Sequence, residues 1–385
     1  MNMRPRILYL RPSAGSIPLN ALTATLLQSE FEDHDVQTVD IRDLVKSAKW
    51  TVVANIFATI WLYGGALLTR QKKFRQCFWR TPYIFRRIRE LIGKSYGGQE
   101  WAFTFQIQSL FDGSIDGIPH YVYTDHTHLA NLSYPGFDRK NLFSDAWIRC
   151  ERSIYENATT VFTMSTNMSR SVISEYGVSP ERVLCVYSGP NIDISSEHDV
   201  IDDSETTRIL FVGVDWFRKG GDLLVNAFAN LCENYPALQL TIVGCVPPEA
   251  EKLNARINVE GRVPIQDVGK YFQEADIFCM PTRLEPFGIV FIEAMAYKLP
   301  IVATHTGALP DLVENNVNGI LVETDNVDSL VNALRTMIDH PELRQEMGSN
   351  GHQRYLERFN WPAVYSRIRD RIAADGLGEE KSLHV

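Results

Sequence analysis

The sequence predicts an α/β protein made of two doubly wound domains in tandem. Its 385 residues exceed what one ordinary core holds, so two domains of about 150–200 residues are expected. Short apolar runs alternate with helical patterns along the chain, as in parallel βαβ units. One polar, acidic stretch, NIDISSEHDVIDDSETT, interrupts this alternation, which then begins again. We therefore expect one domain at 1–195, a second at 206–360 and a closing segment at 361–385.

The first domain is predicted to contain five strands with helices between them. The strands are RILYL, VQTVDI, HYVYTD, TTVFTMS and RVLCVYSG, and the helices include ALTATLLQSEFED, DAWIRCERSIYENA and MSRSVISEYG.

The second domain repeats the pattern. Its predicted strands are RILFVGV, LQLTIVGC, DIFCMP and PIVAT. Its predicted helices are GDLLVNAFANLCENY, VGKYFQEA, a helix from about Gly288 to Tyr297, and a helical run from Asp328 to Ala374. Because open α/β sheets bind ligands at the carboxyl ends of their strands, we expect a ligand site in a cleft between the two domains.

Composition excludes several classes of protein. The net charge of −9 argues against a general nucleic-acid binder, which needs a basic surface. The six cysteines are scattered without a CxxC pair, which is typical of reduced thiols in a cytoplasmic protein. The apolar part of the N-terminus is too short for a signal peptide.

Positive charge is concentrated after an uncharged run. Trp50–Thr69 contains no charged residue, and Arg70–Lys94 carries nine Lys or Arg against one acid, Glu90. The uncharged run is long enough to span a bilayer, but its polar residues and Gly64-Gly65 weaken that interpretation. Aromatic residues interleaved with arginines favour docking of Trp50–Lys94 on an anionic membrane surface, at the inner face of the membrane. The alternative is a pair of core helices, with the basic run covering an acidic neighbour in the same protein.

The stretch LFVGVDWFRKGGDLLVNAF combines a strand, a glycine-bearing loop and a helix. It matches neither GxxxxGK[ST] nor GxGxxG. Arg218 and Lys219 precede the helix, and free amide N–H groups at a helix start together with two cations suit a diphosphate. The alternative is a surface turn with solvated basic residues.

The stretch RLEPFGIVFIEAMAYKLPIVAT places Glu285 and Glu293 eight positions apart. Pro286-Phe287-Gly288 ends a loop, and the helix that follows offers free N–H groups near Gly288 and Ile289. Glu285 precedes this helix and Glu293 falls in its second turn, so the two carboxylates are expected to contact different parts of one extended ligand. Vicinal sugar hydroxyls are suitable donors to carboxylates. The alternatives are that Glu285 caps the helix and that Glu293 is paired within the fold.

These stretches resemble a known family. The E-x7-E pattern, with FVGV…RKGGDLL before it and TGALPDLVENNVNGILV after it, is similar to the C-terminal half of the family 4 retaining glycosyltransferases. The resemblance extends from Arg208 to Trp361 and, more loosely, to YENATTVFTMSTNMSRSVISEYGVSPERVLCVYSGPNID. It implies the GT-B fold, with two Rossmann-like doubly wound domains facing a central cleft. It also implies that the segment after Trp361 packs back on the N-terminal domain.

The resemblance also implies roles for single residues. Lys219 would hold the donor diphosphate, aided by Arg218 and by the backbone at Phe287, Gly288 and Ile289. Glu285 would contact the donor sugar, and Glu293 the ribose hydroxyls. His126, in VYTDHTHLA, would face the donor sugar from the N-terminal domain; the alternative is a surface or core histidine, as for His120 and His128. We expect catalytic roles for His126, Glu285 and Lys219.

Two positions depart from the family pattern. Val214 stands where the family often has an arginine, and we expect Arg218 to supply that charge. Gly15, in RPSAGSIPLN, stands alone where the family commonly has paired glycines; we expect its backbone to contact the donor.

The resulting expectation is a metal-independent, retaining enzyme. It would move a hexose from a nucleotide-sugar donor to an acceptor hydroxyl, on a lipid-linked or saccharide acceptor, in glycolipid or polysaccharide biosynthesis. No cofactor and no metal site are expected, since neither a DxD-type site nor HExxH is evident. Two alternatives stay open: a soluble transferase acting on a small sugar or sugar phosphate, and a non-catalytic sugar-nucleotide-binding subunit.

Overall fold

The computed structural model describes residues 4–13, 18–134, 136–194 and 206–377. The chain divides into two compact units, the first comprising Met1–Val186 with Tyr365–Val385 and the second comprising Tyr187–Val364. Each unit is built on a six-stranded sheet, and every strand pair is parallel. The prediction of two doubly wound α/β units is confirmed.

The first unit has the strand order β2-β1-β3-β4-β5-β6. Its strands are β1 (Arg6–Arg11), β2 (Asp35–Asp40), β3 (Phe103–Ile107), β4 (His120–Thr124), β5 (Thr160–Thr163) and β6 (Val183–Cys185). Every residue of β3, β4 and β5 is buried, as expected for central strands covered by helices on both faces. Strand β3 was absent from the predicted set.

In the described residues up to Val186 the helices are α1 (Pro18–Glu30), α2 (Ile41–Ser47), α3 (Lys49–Leu68), α4 (Phe74–Phe78), α5 (Pro82–Tyr96), α6 (Asp145–Asn157) and α7 (Thr166–Ser174). Hydroxyl side chains cap several of them. Ser144 accepts from the amide N–H of Trp147 at the start of α6, and Ser165 accepts from that of Met168 at the start of α7.

The uncharged run Trp50–Thr69 forms one continuous helix, α3, rather than a pair of core helices. It is the one helix of the described residues that is long and apolar enough to cross a membrane by length and composition. Only 22% of its most apolar window is buried. Most of its large apolar side chains are exposed.

The second unit has the strand order β12-β11-β10-β7-β8-β9. Its strands are β7 (Arg208–Val212), β8 (Gln239–Val243), β9 (Ile257–Gly261), β10 (Ile277–Met280), β11 (Ile301–Thr304) and β12 (Gly319–Val322). Its helices are α8 (Gly221–Cys232), α9 (Gly269–Gln273), α10 (Ile289–Ala296), α11 (Leu309–Leu312), α12 (Val327–Asp339) and α13 (Pro341–Arg354). Strands β7 and β10 are neighbours, so the loops that follow them meet at the same edge of the sheet.

The chain closes with α14 (Trp361–Ile372), of which the part from Tyr365 onward belongs to the first unit. Arg369 donates to the Glu30 carboxylate at 2.9 Å, and Arg367 donates to the carbonyl of Val186 at 2.8 Å. Tyr365, Ile368 and Ile372 are buried. Polar contacts and apolar burial together hold this part of α14 to the first sheet.

Candidate functional site

The loops after β7 and β10 bring Lys219 and Glu285 together. The Nζ atom of Lys219 and the Oε2 atom of Glu285 form an ion pair, and both residues are more than 90% buried. Burial lowers the pKa of Lys219, and the Glu285 carboxylate opposes that shift. The pair therefore places one cation and one anion in a largely water-free position at the carboxyl edge of the sheet.

The same two loops are joined through Arg218. Its carbonyl accepts from the amide N–H of Arg283 at 2.8 Å and from Thr282 Oγ1 at 3.0 Å. Its guanidinium donates to the carbonyl of Leu284 at 3.1 Å and pairs with Asp215 at 3.3 Å. Arg218 thus holds the loop of Glu285 against the loop of Lys219.

Glycines allow two helices to begin beside this ion pair. Gly220 has φ +74° before α8, and Gly288 has φ +97° before α10, a backbone conformation that glycine adopts without steric cost. A Cβ at Gly220 would lie 2.0 Å from the carbonyl oxygen of Pro281. Two helix amino ends, where the helix dipole favours negative charge, therefore follow directly on the residues predicted to bind phosphate. Phe287 and Gly288 are buried and Ile289 is half-buried.

Glu293 lies in the second turn of α10 and has partners within the second unit. Its Oε1 atom accepts from the amide N–H of Asn191 at 2.9 Å, and the side chain is buried. Burial raises the pKa of Glu293 to about 7, against hydrogen bonds from the amides of Asn191 and Ile192. Glu293 is therefore paired within the fold, as the alternative interpretation of this residue expects.

Sequence reasoning missed Arg283. Its guanidinium makes a two-point contact with Asp222 at 2.8 and 2.9 Å and contacts Asp325 at 2.6 Å. The hydrogen bonds that Arg283 donates to Asp222 raise the pKa of Arg283 above its ordinary value. Because Asp222 lies in the first turn of α8, the contact fixes the Glu285 loop to that helix. No local pattern in the sequence marks two residues that are 61 positions apart.

The first unit contains a cavity of about 160 Å³ at the carboxyl end of its sheet. Its lining includes Arg80, Asp125, His126, His128 and Glu151. His126 lies two residues after the end of β4, and its Nδ1 atom has no hydrogen-bond partner among the described residues. Burial lowers the pKa of His126, and Asp125 opposes that shift. The side chain is thus a neutral imidazole at the edge of a cavity.

The other two histidines of this region have structural partners. The Nε2 atom of His128 accepts from the amide N–H of Phe143 at 2.7 Å, and burial lowers the pKa of His128 to about 3. His120 contacts Thr104 Oγ1 through its Nδ1 atom at 2.6 Å, and burial lowers the pKa of His120 to about 4. Of the three, His126 alone combines a place on the cavity lining with an unpartnered ring nitrogen.

Sequence reasoning also missed Glu151. This carboxylate projects from α6 and accepts from the amide N–H of His128 at 3.0 Å, from Ser109 Oγ at 3.2 Å and from the hydroxyl of Tyr176. Burial raises the pKa of Glu151 to about 7. It holds the loop that carries His126. A carboxylate four positions after the buried Trp147, on the apolar face of α6, is the sequence signal that could have found it.

Arg80 is the cation of the cavity. Its guanidinium lies 4.6 Å from the ring centroid of Phe143 and 5.9 Å from that of Trp147. Burial lowers the pKa of Arg80, and the charge of Glu151 opposes that shift. Among the described residues no carboxylate lies within ion-pair distance of Arg80. The cavity thus has one guanidinium, that of Arg80, in a lining that also includes Asp125 and Glu151.

Gly15, whose backbone was predicted to contact the donor, lies outside the described residues. Among the residues that the structure describes, no cluster of three or more His, Cys, Asp or Glu is arranged to hold a metal ion.

The C-terminal part of the chain is similar to a known family. Residues 196–354 match the family described as Glycosyl transferases group 1. The D-inositol 3-phosphate glycosyltransferase of Corynebacterium aurimucosum is 28% identical over 255 residues, which cover 60% of this chain and 60% of that protein. The match thus spans about three fifths of the length of this relative.

Solved structures resemble nearly the whole chain. Sucrose-phosphate synthase from Thermosynechococcus elongatus aligns with a TM-score of 0.67 at 20% identity, covering 96% of this chain and 100% of that one. Anabaena HepE in complex with UDP aligns with a TM-score of 0.66 at 17% identity, again covering 96% and 100%. These likenesses confirm the predicted GT-B fold class.

Proposed function

From the premise that this chain carries a domain of the group 1 glycosyl transferase family at residues 196–354, we propose that the protein is a retaining hexosyltransferase. It takes a hexose from a nucleotide-sugar donor and transfers it to an acceptor hydroxyl. The acceptor is lipid-linked, and the product belongs to glycolipid or polysaccharide biosynthesis.

The buried Lys219–Glu285 pair carries this proposal. When the bond between the sugar and the diphosphate breaks, negative charge develops on the leaving diphosphate. A fixed cation in a poorly hydrated position stabilises such charge far more than a solvated one does. Lys219 supplies that cation, with Arg218 and the amino ends of α8 and α10 beside it. No metal ion is needed for this charge compensation.

Donor binding changes the partner of Lys219. In the structure Glu285 pairs with the lysine. A bound diphosphate competes for Lys219 and leaves the Glu285 carboxylate able to accept hydrogen bonds from the hydroxyls of the donor sugar. Glu285 then orients the sugar and stabilises it electrostatically; it is not a nucleophile.

Retention follows from a reaction on one face of the sugar. The bond between the anomeric carbon and the diphosphate oxygen breaks, and the bond to the acceptor oxygen forms on the same face. The proton of the acceptor hydroxyl moves to the departing diphosphate oxygen. His126, as a neutral imidazole, positions the donor sugar through a hydrogen bond with one of its hydroxyls.

The remaining donor contacts are assigned in the same way. Glu293 receives the ribose hydroxyls beside the amide N–H groups of Asn191 and Ile192, from which it already accepts. Backbone N–H groups at Gly288 and Ile289 contact the diphosphate, and Phe287 closes the turn that presents them. The presence of UDP in the structure of Anabaena HepE supports a nucleotide-sugar donor and makes UDP-linked sugars the first to test.

A lipid-linked acceptor is supported by the surface of the first unit. The uncharged and basic segment Trp50–Lys94 exposes large apolar side chains next to cations. Such a surface suits a protein that works peripherally on an anionic membrane, where a lipid-linked acceptor is held.

A second candidate is a transferase that acts on a small phosphorylated acceptor. The relative from Corynebacterium aurimucosum is named for D-inositol 3-phosphate, and the cavity of the first unit presents Arg80 to an anionic group. Both candidates share the donor chemistry and differ in the acceptor.

The test is turnover with nucleotide-linked hexoses, followed by NMR of the anomeric proton in the product. We expect a product with the anomeric configuration of the donor, and we expect Glu285→Gln to abolish turnover. An inverted product would contradict the retaining mechanism. Equal turnover with a lipid extract and with sugar phosphates alone would favour the second candidate.

A further inference from the structure

Helix α3 buries polar side chains and exposes apolar ones, the reverse of what a surface helix of a water-soluble protein does. Its buried residues are Thr51, Asn55, Thr59 and Tyr63, which recur every four positions and form one polar face. On the opposite side, Trp50 is 85% exposed, Phe57 69% and Trp61 93%. A surface helix ordinarily buries its apolar stripe and exposes its polar one.

The polar face of α3 is firmly bound to the first unit. Asn55 Nδ2 donates to the carbonyl of Phe78 at 2.7 Å, and the hydroxyl of Tyr63 donates to the carbonyl of Arg80 at 2.7 Å. The Tyr63 hydroxyl also lies 3.2 Å from Ser144 Oγ at the start of α6. Crossing a bilayer would break these bonds and expose their buried polar groups to lipid. The helix is therefore fixed with its apolar side outward.

The outward side forms a long apolar surface. The helix has 20 residues and so extends for about 30 Å. Its exposed large apolar side chains are Trp50, Val53, Ile56, Phe57, Ile60, Trp61, Leu62 and Leu68, and Phe74 follows in α4. Scattered apolar side chains are normal on a protein surface, but a continuous set along a whole helix marks an interaction surface.

Positive charge surrounds this surface. Between Asp43 and Glu90 the chain has ten Lys or Arg residues and no acid. Lys49 lies at one end of α3, and Arg70, Lys73 and Arg75 follow the other end, all exposed. Long basic side chains at the ends of an apolar helix reach the anionic headgroups of a bilayer while the apolar residues enter its acyl region. A second copy of this chain would instead bring like charges together.

We propose that α3 lies in the plane of an anionic bilayer, with its outward side inserted to the depth of the headgroup–acyl boundary. The inference deepens the proposed function and rests on it for its biological role, because it names the membrane as the partner of the first unit. It also accounts for access to a lipid-linked acceptor. Tyr63 binds the backbone of Arg80, whose side chain lines the cavity that contains His126, so docking through α3 brings that cavity close to the headgroups.

The experiment is flotation of the full chain with vesicles at about 0.15 M salt. One set contains phosphatidylcholine with about 30% phosphatidylglycerol, and the other contains phosphatidylcholine alone. We expect the protein to float with the anionic vesicles and at least about tenfold less with the neutral ones, because each basic residue near an anionic surface contributes to binding. Trp50 and Trp61 fluorescence shifts to the blue as both rings leave water.

Two variants test which surface binds. Trp50→Ser/Phe57→Ser/Trp61→Ser is expected to lose at least about tenfold in binding, because each side chain of this size contributes about a tenfold factor when it leaves water. Val246→Ser/Ile265→Ser/Leu356→Ser removes exposed apolar side chains from the second unit and is expected to bind like the unmodified protein. The thermal shift with a nucleotide sugar is expected to be the same in all three proteins.

Two results would overturn the inference. One is an unmodified protein that stays with neither vesicle set. The other is an α3 variant that floats as well as the unmodified protein. If the unmodified protein sediments as a dimer and the α3 variant as a monomer, without vesicle binding in either, α3 is an interface between copies. If the unmodified protein floats with the anionic vesicles but transfers no hexose from any nucleotide sugar, the proposed function is contradicted and this inference stands.

Discussion

The Nζ atom of Lys219 and the carboxylate of Glu285 form a buried ion pair, although 66 positions separate the two residues in the chain. The pair joins the loops that follow β7 and β10, two neighbouring strands. A buried pair of this kind adds little net stability, because the desolvation of both charges offsets their attraction. We therefore propose that the pair serves donor binding rather than folding.

Removing one partner of the pair tests this attribution. Lys219→Met leaves the Glu285 carboxylate buried without its cation, so the free energy of unfolding should fall by about 3–5 kcal/mol and turnover should be lost. Denaturant unfolding and a turnover assay measure the two effects.

The double variant Lys219→Met/Glu285→Leu separates stability from function. It replaces both charges by apolar groups of similar volume, so its free energy of unfolding should return close to that of the unmodified protein while turnover stays absent. A double variant that is as unstable as the single one would mean that the pair holds the two loops together.

Gly220→Ala tests the turn before α8. The glycine has φ +74°, and the new Cβ would meet the Pro281 carbonyl, so the variant should lose more than about 1 kcal/mol of stability and bind the donor more weakly. Gly93→Ala is the matched control, since Gly93 lies within α5 and a Cβ there meets nothing within 4 Å. We expect the control to gain about 0.5–1 kcal/mol. Equal effects of the two substitutions on stability would argue against backbone strain at Gly220.

Two histidine variants distinguish a functional ring from a structural one. His126→Ala should lower kcat/KM about 100-fold and leave the melting temperature nearly unchanged, because His126 Nδ1 has no partner in the described chain. His128→Ala should destabilise the protein by about 1–3 kcal/mol, because it leaves the amide N–H of Phe143 without its acceptor. Thermal unfolding and steady-state kinetics report both. If His126→Ala lowers stability and leaves kcat/KM unchanged, while His128→Ala does the reverse, His126 has no part in the proposed mechanism.

The pH dependence of stability tests the environment of Glu293. Burial raises the pKa of Glu293 in the folded protein to about 7, above its ordinary value of 4.5. Between these two values the folded state holds more protons than the unfolded state, so the free energy of unfolding falls as pH rises through this window. Glu293→Gln lacks this titration, so its stability relative to the unmodified protein should increase between about pH 5 and pH 8. Parallel stability curves would show that Glu293 titrates normally.

The strand–helix alternation predicted the two sheets, but three strands escaped it. β3 (Phe103–Ile107) is short and fully buried, and its residues do not alternate between apolar and polar. β9 (Ile257–Gly261) is partly exposed, and β12 (Gly319–Val322) has four residues. Such short runs are recognisable as strands mainly by the neighbours with which they pair, and pairing is a property of the whole sheet.

Those site residues could be predicted that belong to short, recognisable stretches of the sequence. The basic loop at Lys219 and the turn between Glu285 and Gly288 both stand out in the sequence, whereas their ion pair depends on the order of strands β7 and β10. Glu151 and Arg283 act through partners that are distant in the chain. The outward face of α3 was hidden for another reason: a run that is apolar on nearly all sides does not reveal which side packs, and here the few polar residues do so.

The most direct test of the proposed donor site is a thermal-shift panel with UDP-, GDP- and ADP-linked hexoses, run on the unmodified protein and on Lys219→Met/Glu285→Leu. A ligand at about 100 times its dissociation constant adds about 2.7 kcal/mol to the free energy of unfolding. We expect one nucleotide class to raise the melting temperature of the unmodified protein by several degrees and to leave the double variant unchanged. No shift with any donor, or an equal shift in the double variant, would contradict a nucleotide-sugar site built on Lys219 and Glu285.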